Sequence, residues 1–132
     1  MKLSMTPTVL LTLGRLPKAL DLARGFAGEG WRVVVAEPFA RHLCGASRAV
    51  ARSVRVPPPA AGKRAYLEAL ARVAAEERAD LLIPVSEEAT HVAHLSLPGT
   101  RVLSMPPDRV LALHHKGRFA EAMRALHIPV PD

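Results

Sequence analysis

Residues 9–36 read VLLTLGRLPKALDLARGFAGEGWRVVVA, and the order of patterns inside them decides the fold class. The run Val9-Leu10-Leu11-Thr12-Leu13 is almost wholly aliphatic and is closed by Gly14. A strand of that kind shows no in–out alternation, so both of its faces are buried. Ala19, Leu22, Ala23 and Phe26 then recur at i, i+3, i+4 and i+7, the spacing of one helical face. Gly28 and Gly30 end that helix, because glycine takes the left-handed cap at low cost. Val33-Val34-Val35-Ala36 is a second buried strand. Strand, helix and strand in this order make a parallel pair joined by a right-handed crossover.

The same alternation continues outward. Val54-Arg55-Val56 is a short third run, closed by Pro57-Pro58-Pro59, and Leu67, Leu70, Ala71 and Ala74 repeat the helical spacing. Leu81-Leu82-Ile83 ends at Pro84, Ala89, Val92 and Ala93 mark another helix, and Arg101-Val102-Leu103 is a fifth run. Pro106-Pro107-Asp108 suits a helix first turn, where proline sacrifices no hydrogen bond and an acid favours the dipole. Phe119, Ala122, Met123 and Leu126 form a last helical face. The pattern predicts an α/β domain: a three-layer, Rossmann-like open parallel sheet of about five strands, with a C-terminal linker helix.

A chain of 132 residues suits one domain with a real core. One tryptophan and one tyrosine leave that core to aliphatic side chains. A single cysteine, Cys44, allows no internal disulfide, which fits a reducing cytoplasm. The run from Val9 to Leu13 is far too short to span a bilayer. The net charge of +6 is concentrated between Pro38 and Leu67, where Arg41, Arg48, Arg52, Arg55, Lys63 and Arg64 meet no acid. That stretch is either a solvated surface or a patch for an anionic partner. Nucleic acid is not expected, since no aromatics interleave to stack on bases.

In open parallel sheets, ligands sit beyond the carboxyl ends of the strands. The segments expected there are Gly14–Pro17, Glu37-Pro38, Pro57–Gly62, Val85–Glu88 and Ser104–Pro107. Gly14-Arg15 makes a sharp turn that would leave helix amides for an anion, but no G-x-G-x-x-G accompanies it, which argues against a dinucleotide. Glu37 reads as a surface acid. Ser86 reads as a helix cap, with Glu87 and Glu88 in the first turn or one of them turned to a ligand. His91 and His94, with Glu87, could face a metal only weakly, so no metal site is expected. Adjacent His114 and His115 cannot chelate together. Cys44 reads as structural, with Arg41 and Arg48 near enough in sequence to lower its pKa. No triad order, Walker loop or zinc spacing occurs, and no catalytic residue is assigned.

Four stretches together carry a family resemblance. They are the first strand with Gly14-Arg15-Leu16-Pro17-Lys18-Ala19, Trp31–Pro38, Leu82-Ile83-Pro84-Val85-Ser86-Glu87-Glu88, and His115-Lys116 through Pro131. In order and spacing the chain resembles the amino-terminal (pre-ATP-grasp) domain of ATP-grasp enzymes, near biotin carboxylase and the carbamoyl-phosphate-synthase-like ligases. The resemblance implies residues 1–114 as the Rossmann-like domain, and residues 115–132 as linker helix and start of a missing ATP-grasp domain. It implies a cytoplasmic parent enzyme that uses ATP and Mg²⁺ to activate a carboxylate of a small-molecule substrate. Lys116 would reach an ATP phosphate, and Gly14, Arg15, Ser86 and Glu87 would line the substrate cleft. The piece alone would be inactive, and its last helix would expose an apolar face open to self-association as a homo-oligomer. The linker departs from the family pattern at His115, often Asp, and at His127, usually Gly. The rival expectation is a stand-alone Rossmann-like module that uses the basic stretch for an anionic partner.

Overall fold

The computed structural model describes residues 6–132. Strands β1 (Thr8–Thr12), β2 (Arg32–Glu37), β3 (Arg52–Arg55), β4 (Leu81–Ile83) and β5 (Arg101–Val102) form one sheet in the order β3-β2-β1-β4-β5. Every pairing is parallel, with Leu10 opposite Val34 on one side and Leu82 on the other. The helices are α1 (Pro17–Gly28), α2 (Lys63–Glu76), α3 (Ala89–Val92), α4 (Pro107–His114) and α5 (Lys116–Ala125). The expected architecture of five parallel strands and covering helices is the observed one.

Alternation along the buried strands builds the layers. Val9, Leu11, Val33 and Val35 point to one face and pack with Ala19 and Ala23 of α1. Leu10, Val34 and Leu82 point to the other and pack with Tyr66, Leu70 and Val73 of α2 and with Val92 of α3. Each fully buried aliphatic side chain contributes about 1.5–3 kcal/mol of transfer free energy. The α2 face is centred differently from the sequence reading. Tyr66 and Val73 are buried, while Leu67 and Ala71 are only half-buried. A lone tyrosine was not counted toward an aliphatic core, yet its ring is the largest fully buried side chain.

Three helices end in the same way. After α1, α2 and α5 the chain passes through a left-handed residue: Gly30 (φ 84°), Arg78 (φ 50°) and His127 (φ 57°). Behind each, two amides fold back on the last turn, as in Trp31 N to Phe26 O at 3.0 Å, Ala79 N to Ala74 O at 2.9 Å and Ile128 N to Met123 O at 2.9 Å. This is the Schellman arrangement, which favours glycine at the left-handed position. His127 fills the place where the resembled family usually has Gly. His115, often Asp there, caps α5 as an Asp does: its Nδ1 accepts the Arg118 amide at 3.3 Å.

Helices α4 and α5 pack on each other and contain no buried residue. Leu111, Leu113, Phe119 and Leu126 are exposed there, as expected for the final helix.

Gly14 is held to glycine by packing. A Cβ on it would lie 2.5 Å from Val35 Cγ1 and 2.7 Å from His42 Nδ1. Gly14→Ala should therefore cost about 1–3 kcal/mol, read as a lower urea midpoint. Gly28→Ala, where a Cβ meets nothing within 4 Å, should be neutral or slightly stabilising. By the same measurement His127→Gly should raise stability by about 0.5–1 kcal/mol, because it relieves a left-handed non-glycine residue.

Candidate functional site

The strand order reverses between β1 and β4, and the chain leaves these two strands in opposite directions across the sheet. A crevice opens at such a switch point. Here it is a cleft of about 520 Å³, lined by residues that include Leu13, Arg15, Ser86, Glu87, Glu88 and His91. Pro59 and Ala60 from the loop after β3, and His114 at the end of α4, complete its rim. Leu13, the first residue beyond β1, is buried and left-handed at φ 49°. A non-glycine residue in that region stores strain, and such strain concentrates at ligand sites.

The floor of the cleft is a buried carboxylate. Glu88 is 4% exposed, and its Oε1 accepts the amides of Val85 at 2.8 Å and Ser86 at 3.2 Å. Thr12 Oγ1, at the end of β1, donates to the same oxygen. Thr12 Oγ1 also accepts from Val85 N at 3.2 Å. One acid thus ties the ends of β1 and β4 together.

The wall is built by a second buried carboxylate. Glu37 is 1% exposed and takes Arg15 Nη1 at 2.9 Å, Arg15 N at 3.2 Å and Phe39 N at 3.2 Å. The Arg15 guanidinium also lies over the Phe39 ring, 4.8 Å from its centroid. An arginine held on both sides has little rotamer freedom left to lose, so its place on the cleft wall is fixed.

Three of the expected cleft residues, Arg15, Ser86 and Glu87, therefore share one cavity. Gly14 lies buried behind it. Lys116, at the start of α5, does not line this cleft; it borders a separate hollow with Leu113, Phe119 and Val130.

Several expectations change. Glu37 is a buried brace and not a surface acid, because Arg15 and two amides replace its water. That carboxylate also takes the Arg15 amide, in the turn just before α1. Ser86 makes no side-chain cap to α3; its carbonyl accepts Ala89 N at 3.0 Å, and Glu88 collects the loop amides. Cys44 is fully buried, and burial first, then Glu37, pushes its thiol above the ordinary value, opposite to the expected lowering. Two members of the basic stretch are answered by acids, Arg52 by one distant in sequence and Arg64 by one a helical turn away. Arg52 and Arg32 both pair with Glu77, at 2.7 and 2.8 Å, and Arg64 pairs with Glu68 at 3.0 Å. His91 and His114 were weighed only as metal ligands or polar surface; their place on the rim depends on how α3 and α4 dock, which no local pattern records.

No protein-family model and no curated protein matches the chain. Solved structures do. The biotin carboxylase domain of a single-chain bacterial carboxylase superposes with a TM-score of 0.70 at 27% identity, over 95% of this chain. The resemblance read in the sequence is borne out in the fold. An L-amino acid ligase from Bacillus licheniformis matches with a TM-score of 0.71 at 17% identity over 98% of the chain. Glycinamide-RNase-transformylase T from Mycobacterium tuberculosis matches at 0.70 and 18% over 95%. These neighbours are ATP-grasp enzymes. The chain spans 30%, 32% and 37% of their respective lengths. Among the described residues no helix is long and apolar enough to cross a membrane.

Two predictions follow from the buried groups. Glu88→Ala, which strands the Ser86 amide and leaves Val85 N only the Thr12 hydroxyl, should cost about 1–3 kcal/mol, with Glu88→Gln retaining part of that because its carbonyl still accepts. Urea midpoints of the two variants test the order. The second concerns alkaline pH. Burial, with Glu88 and Glu37 nearby, also raises Tyr66. The unfolded chain releases these protons near the ordinary values of 9.0 for Cys44 and 10.0 for Tyr66, while the folded protein holds them. The stability they contribute is complete below pH 9.0 and falls as pH rises beyond it, so unfolding by urea should become easier from pH 9 to 11.

Proposed function

We propose that this chain is the amino-terminal wall of the substrate cleft in a cytoplasmic ATP-grasp ligase, carbamoyl-phosphate-synthase-like in kind. The observation that carries the reading is the switch-point cleft, where Arg15 braced by Glu37 meets Ser86 and Glu87, in a fold shared with carboxylase and ligase structures. The partners proposed are an ATP-grasp lobe elsewhere in the polypeptide and a small carboxylate substrate.

In such an enzyme ATP supplies the phosphoryl group that turns a carboxylate into an acylphosphate, which an amine or related nucleophile then attacks. The residues of this chain fit part of that task. Arg15 offers a fixed guanidinium, whose planar fork matches a carboxylate. On the opposite side Ser86 can donate or accept a hydrogen bond, and Glu87 can accept one from the nucleophile. Lys116, an exposed cation opening α5, suits a phosphate oxygen as a point charge. Among the described residues no cluster of acids or histidines suits a metal ion, so Mg²⁺ would be held by the other lobe and by phosphates. Catalysis of this type is positioning and charge neutralisation, and half a cleft does neither alone.

One charged hydrogen bond contributes about 1.5–3 kcal/mol. Association costs about 4 kcal/mol or more. The chain alone should therefore show no calorimetric ATP binding tighter than about 1 mM. In the enzyme with its second lobe, Lys116→Met should raise the KM for ATP about tenfold while leaving the KM for the carboxylate. Arg15→Ala should do the converse. Micromolar ATP affinity in the isolated chain, or no ATP turnover by the complete polypeptide, would overturn the reading.

A further inference from the structure

The cleft does not end at His91. A second hollow of about 450 Å³ adjoins it and shares Thr90, His91 and His114. Its other walls are Lys63 from the first turn of α2, His94 just beyond α3, and Pro107, Asp108 and Leu111 of α4. Four nitrogenous bases from three segments distant in sequence thus converge on one space beside the switch point. They do not pair with one another, since like charges there would repel. They also do not suit a metal, as no group of metal-ligating side chains qualifies among the described residues. Among the described residues Lys63 has no acidic partner, unlike Arg64 and Arg52 nearby, which have Glu68 and Glu77.

We infer that this annex binds an oxyanionic group, a phosphate monoester or a carboxylate, held by Lys63, His91, His94 and His114. Asp108 is the one acid on its wall, and it sits in the first turn of α4, where the positive end of the helix dipole offsets it. The electrostatics agree with the geometry. His91 lies below its ordinary pKa, through burial first and then through Lys63 and His94, with Glu88 opposing. An anion in the annex would relieve that mutual repulsion.

The inference extends the reading of the cleft as a substrate site. Its test uses neither ATP nor turnover, so either can fail without the other. The probe is inorganic phosphate, added to the chain at constant ionic strength against sodium chloride, and followed through the histidine ring signals by NMR. The expected result is saturable movement of His91, His94 and His114, with His42, His115 and His127 still, and an upward shift of the His91 titration midpoint. Sodium acetate is the second arm. An equal response assigns a carboxylate to the site, and a response to phosphate alone assigns a phosphate monoester. Lys63→Met should weaken the response about tenfold with an unchanged amide fingerprint. His94→Gln is the second variant and should weaken it less. Ring shifts no larger than with chloride, shifts spread over all six histidines, or Lys63→Met without effect would overturn the assignment.

Discussion

The structure depends on one shared oxygen. Glu88 Oε1 gathers the Thr12 hydroxyl and the amides of Val85 and Ser86, and so joins the end of β1 to the loop after β4. Those two strands are neighbours in space but lie 69 residues apart in sequence, from Thr12 to Leu81. Their ladder is short, since β4 has three residues and β5 two. A short ladder leaves loop amides that must find another acceptor, because burying them unpaired is costly. The carboxylate supplies that acceptor and in doing so shapes the floor of the cleft. Fold stability and site geometry here rest on the same atoms.

The second buried acid works by a different logic. Glu37 compensates the loss of water with one guanidinium and two amides, a set of partners that a carboxylate needs when buried. The result for function is an arginine whose position is decided before any ligand arrives. Gly14 is part of the same arrangement. Its missing Cβ lets His42 and Val35 close over the turn, and this close packing brings the segment around Cys44 against the first crossover.

Charge organisation follows from the tertiary fold rather than from the linear run of basic residues. The sequence places six basic side chains in an acid-free stretch. Folding then brings Glu77 to Arg32 and Arg52, and Glu68 to Arg64, while Lys63 lines one hollow with three histidines from elsewhere. Within that stretch Arg52 on β3 and Arg64 on α2 meet acids, while Lys63 borders the hollow beside the cleft.

What the sequence determined by itself is the scaffold. Largely aliphatic runs at Val9–Leu13, Val33–Ala36 and Leu81–Ile83, with helical patterns between them, point to a parallel sheet with helices on both faces, because each run must be buried on both sides. Gly30 also announced the end of α1. The left-handed ends at Arg78 and His127 were silent, since backbone hydrogen bonds hold those residues there against their own preference. Arg15, Ser86 and Glu87 were legible as cleft residues because strand ends on a known topology fix their place. Tertiary structure alone decided that Glu37 and Glu88 are buried braces, that Cys44 is shielded, and that His91 and His114 share a hollow with Lys63. Those facts depend on partners dozens of residues away, and a carboxylate or imidazole carries no local sign of whether its neighbour will be water or an arginine.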